Sequence, residues 1–126
     1  MRLLVDGMNV IGSRPDGWWK DRDGAMARLV EELERLAEAS GDEITVVFER
    51  EPRPPIVSEL VEVAHAPESR PDAADDEIVR LLKADAAPES IIVATSDRRL
   101  AGRAGAIGAT VEGAGSLRRR ISAAGD

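Results

Sequence analysis

Apolar residues in this chain alternate between short continuous runs and helical repeats, and the alternation predicts the elements in order. Arg2-Leu-Leu-Val5 reads as a short buried strand, and a loop rich in Gly, Pro and Asp follows from Gly7 to Arg22. Met26, Leu29, Val30, Leu33, Leu36 and Ala37 then recur at helical spacing, with Glu31, Glu32, Glu34, Arg35 and Glu38 on the other side. Asp23 is placed to cap that helix and Gly41 to close it with a left-handed turn. Ile44–Phe48 is β-branched and continuous, as a strand covered on both faces should be. Pro52, Pro54 and Pro55 break any regular element after Glu49. Leu60–Ala64 is a weaker strand, broken by Glu62, and Pro67 to Asp72 is a loop.

From Ala73, the positions Ile78, Val79, Leu81 and Leu82 predict a second helix, with Asp72 and Asp75 near its N-terminus and Pro88 as its stop. Ile91–Thr95 is the next strand. A short helix is expected after Asp97, ending near Gly105, then a brief strand over Ala109–Val111. Ser116 is placed to cap a terminal helix carrying Leu117 and Ile121, whose Ala/Gly-rich tail is expected to fray. Strands and helices in turn predict a three-layer α/β/α architecture with a mainly parallel central sheet.

The 126 residues fit one domain, 1–126, with no repeat, linker or low-complexity tract. No apolar run approaches the ~20 residues of a membrane span, and no signal peptide is apparent. The absence of cysteine excludes disulfides and thiolate ligands and suits the cytoplasm. A net charge of −7 argues against broad non-specific nucleic-acid binding. The basic residues are nonetheless uneven, with Arg98, Arg99 and Arg103 beside one acidic motif and Arg118–Arg120 near the C-terminus.

Three acidic motifs change the picture. Asp6-Gly7-Met8-Asn9 follows the first strand, Asp75-Asp76 follows the Leu60–Ala64 run, and Thr95-Ser96-Asp97 follows Ile91–Ala94. Each has an ordinary local explanation: an Asx-type turn for Asp6 and helix caps for the others. In a parallel sheet, however, the carboxyl ends of the strands share one edge, where these acids can meet. Carboxylates forced together repel unless a cation joins them, so the set points to a divalent-metal site and phosphodiester chemistry. Asp75 is expected to face Asp6, whereas Asp76 and Glu77 face solvent or lie behind the site. Oxygen ligands select a hard cation. His65, the only histidine, is expected to have a structural or partly exposed role ahead of catalysis, with substrate contact the lesser alternative. Of Trp18 and Trp19, one is expected to anchor the loop, and a base of single-stranded RNA can stack on one of the pair. Arg14, Lys20 and Arg22 give this loop a local positive character.

Leu-Val-Asp6-Gly-Met-Asn9-Val-Ile, Val-Val-Phe48, Ala-Asp75-x-x-Ile78 and Thr95-Ser-Asp97-Arg98 resemble, in order and spacing, the YacP-like NYN domains of the PIN-like nuclease superfamily, across essentially the whole chain. The resemblance implies a Mg²⁺- or Mn²⁺-dependent endoribonuclease acting on single-stranded or flexible RNA. It makes Asp6, Asp75 and Asp97 the metal-binding acids, with Asn9 and Ser96 in support and Asp76 and Glu49 provisional. Arg98, Arg99, Trp18 and Lys20 are the expected RNA contacts, and the ribosome or mRNA-decay machinery the expected partners. Two positions depart from the family pattern: Glu49 stands where Asp commonly follows Phe48, and Ala73 where Thr often stands. A non-catalytic RNA-binding or ribosome-associated module is the alternative. A phosphate-switch receiver domain ranks last, because its phosphoacceptor Asp and its Lys are not apparent.

Overall fold

The structure, a computed structural model, describes residues 1–125. Five strands, β1 (Arg2–Asp6), β2 (Glu43–Phe48), β3 (Val61–His65), β4 (Ile91–Ala94) and β5 (Thr110–Glu112), form one sheet in the order β3-β2-β1-β4-β5. All four pairings are parallel. The helices are α1 (Gly7–Gly12), α2 (Arg22–Ser40), α3 (Ala73–Ala84), α4 (Arg98–Ile107) and α5 (Ala114–Gly125). No helix among the described residues is long and apolar enough to cross a membrane.

The period of two along each strand divides the interior into two cores. Leu3 and Val5 of β1, with Ile44, Val46 and Phe48 of β2, face α1, α2 and α5. Leu4 and Val47 face the other way, onto Ala74, Ile78, Val79 and Leu82 of α3 and Leu100 and Ala104 of α4. Both faces of the sheet are therefore covered, which explains why its central strands are continuous apolar runs. The three-layer reading holds.

Several local expectations are corrected. The span 7–22 contains helix α1 and a 3₁₀ turn at Trp18–Lys20. Six residues are too few for a helical repeat to show, so the buried Val10 and Ile11 passed as loop. Asp21 caps α2, accepting from Gly24 N, while Asp23 pairs with Arg50 instead. Gly41 closes α2 at φ 75°, as expected. Helix α3 ends at Ala84, before Pro88, which opens a 3₁₀ turn of its own. Helix α4 continues past Gly105 to Ile107 and closes on Gly108. Ser116 lies inside α5 and bonds Glu112; the terminal helix runs to Gly125, and Asp126 lies outside the described residues.

Candidate active site

The strand order reverses between β1 and β4, because the chain winds outward from β1 to β2 and β3, then returns to β4 on its other side. Loops leaving the carboxyl ends of such neighbours diverge to opposite faces and leave a crevice, the usual ligand site of open α/β sheets. Asp6 ends β1 and Thr95-Ser96-Asp97 follows β4, so both flank this crevice.

The turn out of β1 is tightly seated. A Cβ on Gly7 would lie 2.6 Å from the Phe48 ring and 3.0 Å from Val47 O. Only a residue without a side chain lets α1 start directly behind Asp6. Asp6 itself is buried, and Thr95 Oγ1 donates to its Oδ2 at 2.8 Å. The same hydroxyl accepts from Asp97 N, while Asp97 Oδ1 accepts from Arg99 N and Leu100 N to cap α4. Asn9 Oδ1 accepts from Ser96 N, and Ser96 Oγ accepts from Ala114 N at the start of α5. Three loops are thus tied by hydrogen bonds around the end of β1.

Asp6, Asp75, Asp97 and Glu49 line one depression of about 250 Å³, together with Met8, Asn9, Trp18, Arg22, Asp72 and Ala74. Asp75 is buried in the first turn of α3 and turns into this space, and Glu49 enters it from the end of β2. Burial pushes Asp6 up to about 7; the Thr95 hydrogen bond opposes this, and the charges of Asp75, Asp97 and Glu49 add to it. Burial also pushes Asp75 up to about 6, helped by Asp97 and Asp72 and opposed by Arg103. Such shifts express the cost of holding several carboxylates together away from water.

Other expected residues stand elsewhere. Asp76 is held between Arg70 and Arg103 and does not line the depression. Arg98, Arg99 and Lys20 are exposed and are likewise not part of its wall. Trp18 packs against the larger core as the loop anchor, whereas Trp19 is 53% exposed. His65 pairs with Glu51 and lies outside the depression. Sequence reasoning missed Thr95 as a partner of Asp6, although a hydroxyl one step beyond a strand end was an available signal. It also missed Asp72, which takes a left-handed conformation at φ 61° before α3.

The donor set is all oxygen and carries mutually repelling, desolvated carboxylates, which fits a hard divalent cation. Among the described residues no three acidic or histidine side chains stand close enough to hold one ion together. Mg²⁺ does not require that cage, since it commonly keeps several waters and takes one or two carboxylates.

With the comparisons that follow, this all-parallel α/β sheet with acids gathered where its order reverses is a PIN-like, ribonuclease-type domain. The chain belongs to the YacP-like NYN domain family, whose model matches residues 3–126. The crystal structure of Rae1 (YacP) from Bacillus subtilis is similar to it, with a TM-score of 0.82 and 28% identity over 99% of this chain and 75% of that one. A mutant of the same protein gives 0.81 and 28% over 98% and 76%. No match was found among curated proteins.

Proposed function

We propose that this protein is a divalent-metal-dependent endoribonuclease that hydrolyses phosphodiester bonds in single-stranded or flexible RNA. The observation carrying this reading is the convergence of Asp6, Asp75 and Asp97 on one depression at the switch point of the sheet. Family membership supports the ribonuclease class.

One or two of Asp6, Asp75 and Asp97 would ligate Mg²⁺ or Mn²⁺ directly and the remainder would face its waters, with Glu49 at the same wall. The ion, when bound, supplies charge stabilisation of the phosphodiester and lowers the pKa of an attacking water. The chain's own residues set the geometry. Thr95 holds one oxygen of Asp6, so the carboxylate presents a defined edge. Asp97 commits Oδ1 to the cap of α4, which fixes its position while Oδ2 makes no hydrogen bond among the described residues. Asn9 and Ser96 hold the two strand-end loops together. Arg98 and Arg99, exposed on the first turn of α4, are suited to receive phosphates, and Trp18 and Lys20 to meet the RNA beside them. We place the reaction in the cytoplasm, at the ribosome or with mRNA-decay machinery.

Purified protein with Mn²⁺ or Mg²⁺ is expected to cut RNA, and EDTA to stop it. Asp6→Asn and Asp97→Asn should each lower cleavage at least a hundredfold, about 2.7 kcal/mol of transition-state stabilisation, with an unchanged circular dichroism spectrum. Undiminished cleavage by both variants overturns the reading. That no three acids stand together among the described residues favours one second reading, a non-catalytic RNA-binding module. Metal-independent RNA binding without cleavage across many substrates would establish it.

A further inference from the structure

A second depression of about 250 Å³ lies between α1, α2 and α5. It shares one wall with the acid pocket, because Trp18 lines both. Its charge is unlike that of the rest of the chain. The whole protein carries 17 basic and 24 acidic residues. This groove is lined by four arginines (Arg14, Arg28, Arg35, Arg118) against three acids (Asp16, Glu31, Glu32).

Two features leave that positive charge incompletely neutralised. Arg14 and Arg28 are exposed and form no salt bridge among the described residues. Arg118 is held by Val10 O at 3.1 Å and meets Glu32 only at 3.3 and 3.4 Å, whereas Arg120 reaches Glu112 at 2.6 Å. Its Nε is buried and makes no hydrogen bond. A guanidinium kept largely from water, paired with Glu32 only through long contacts and with its Nε unused, still has donor capacity that anionic oxygens complement.

We infer that this groove carries the phosphodiester backbone of a single-stranded RNA beyond the acid pocket, with Arg14 and Arg28 contacting phosphates and Arg118 supplying positive charge beneath them. The inference rests on the ribonuclease reading for the identity of the ligand. It adds that recognition extends past the cleaved bond, over Trp18, along the α2 side of the molecule. The acid pocket repels phosphate until a cation is present, so the groove accounts for how an acidic protein holds RNA. It also makes binding length-dependent, since only a longer strand fills both depressions at once.

The test uses fluorescence anisotropy of labelled oligouridylates of three and twelve nucleotides with the full chain in EDTA, and cleavage of both in Mn²⁺. The twelve-mer is expected to bind at least tenfold more tightly than the trimer. Arg14→Ala with Arg28→Ala should abolish that preference and flatten the dependence of log K on log salt by about 1.4, ~0.7 for each lost phosphate contact on a single strand. Both positions are exposed, so the fold is expected to survive. Arg28→Ala alone should slow cleavage of the twelve-mer more than that of the trimer. Lys83→Ala, at the far end of α3, should change none of these.

Equal binding of both lengths, or an undiminished preference in the double variant, overturns the groove. So does an equal loss in Lys83→Ala, which would make the attraction non-specific. If the trimer is still cut, the ribonuclease reading survives that failure. If the length preference holds but neither oligonucleotide is cut, the groove stands and the ribonuclease reading falls.

Discussion

Thr95 and Asp6, 89 residues apart, meet across the seam between β4 and β1 in a buried hydrogen bond of 2.8 Å. The hydroxyl holds the carboxylate whose charge is hardest to keep at this site. A hydrogen bond to a charged group contributes about 1.5–3 kcal/mol. Thr95→Val keeps the shape and removes the donor, and it also removes the acceptor for Asp97 N. The variant is expected to lose about that much stability, measured by urea unfolding, and to lose more at pH 8 than at pH 5. Asp6 is ionised at the higher pH and needs the donor most. Thr95→Ser should recover most of the loss. Equal losses at both pH values would show that the hydroxyl does not act through the Asp6 charge.

The pH dependence of the metal-free protein is set by the direction of the shifts. Asp6 is pushed up to about 7 in the fold, above the ~3.9 of an unperturbed Asp. The folded state therefore binds more protons than the unfolded state between these values, and stability falls as pH rises through that window. Asp75, pushed up to about 6, acts in the same direction. Thermal unfolding in EDTA should show the melting temperature falling from pH 4.5 to 7.5, against a shallower profile for Asp6→Asn. Added Mg²⁺ or Mn²⁺ should raise the melting temperature most at pH 7.5, where the carboxylates are charged. A profile for Asp6→Asn as steep as the parent's would assign the loss to other groups.

Gly7 is required by space. A methyl group there would meet the Phe48 ring and the Val47 carbonyl, both in buried residues. Gly7→Ala is expected to destabilise by about 1–3 kcal/mol, the usual range for overpacking. Because Gly7 directly follows Asp6, RNA cleavage should fall as well, even at temperatures where the variant stays folded. The companion variant Phe48→Leu, Gly7→Ala should recover part of the stability by opening room. No recovery would mean that the backbone contact with Val47 dominates.

Ser96 performs a task that a local reading gave to Ser116. Its Oγ accepts from Ala114 N at the start of α5, although 18 residues separate them. Ser96→Ala should cost about 0.5–2 kcal/mol, as for loss of a helix cap. Ser116→Ala, inside the helix, should cost less than about 0.5 kcal/mol, the usual range for substitutions away from special features. Guanidinium unfolding of the two variants side by side checks the assignment, and reversed magnitudes would refute it.

Much of this protein was legible along the chain because its strands and longer helices carry their periods locally. Continuous runs such as Ile44–Phe48 and the repeat from Met26 to Ala37 report burial that two sheet faces impose, so α/β layering followed directly. Asp6 and Asp97 were visible as acids at strand ends for the same reason. Helix α1 was not visible, because six residues do not complete two helical turns. The capping roles of Asp21 and Ser96 were missed because several residues near each helix start offered suitable oxygens. Chemistry alone does not choose among them.

Tertiary structure decided what meets what. The order β3-β2-β1-β4-β5 depends on pairings between residues far apart in the chain, and local propensity does not encode them. That order sets β1 beside β4, turning two separate acidic motifs into one crevice with Thr95 between them. It brings Glu49 to the same wall and leaves Asp76 outside, held by Arg70 and Arg103. By itself the sequence determined the layers, the family pattern and the candidate acids. The fold determined their company, because desolvation and charge repulsion arise only where packing brings distant residues into a shared space.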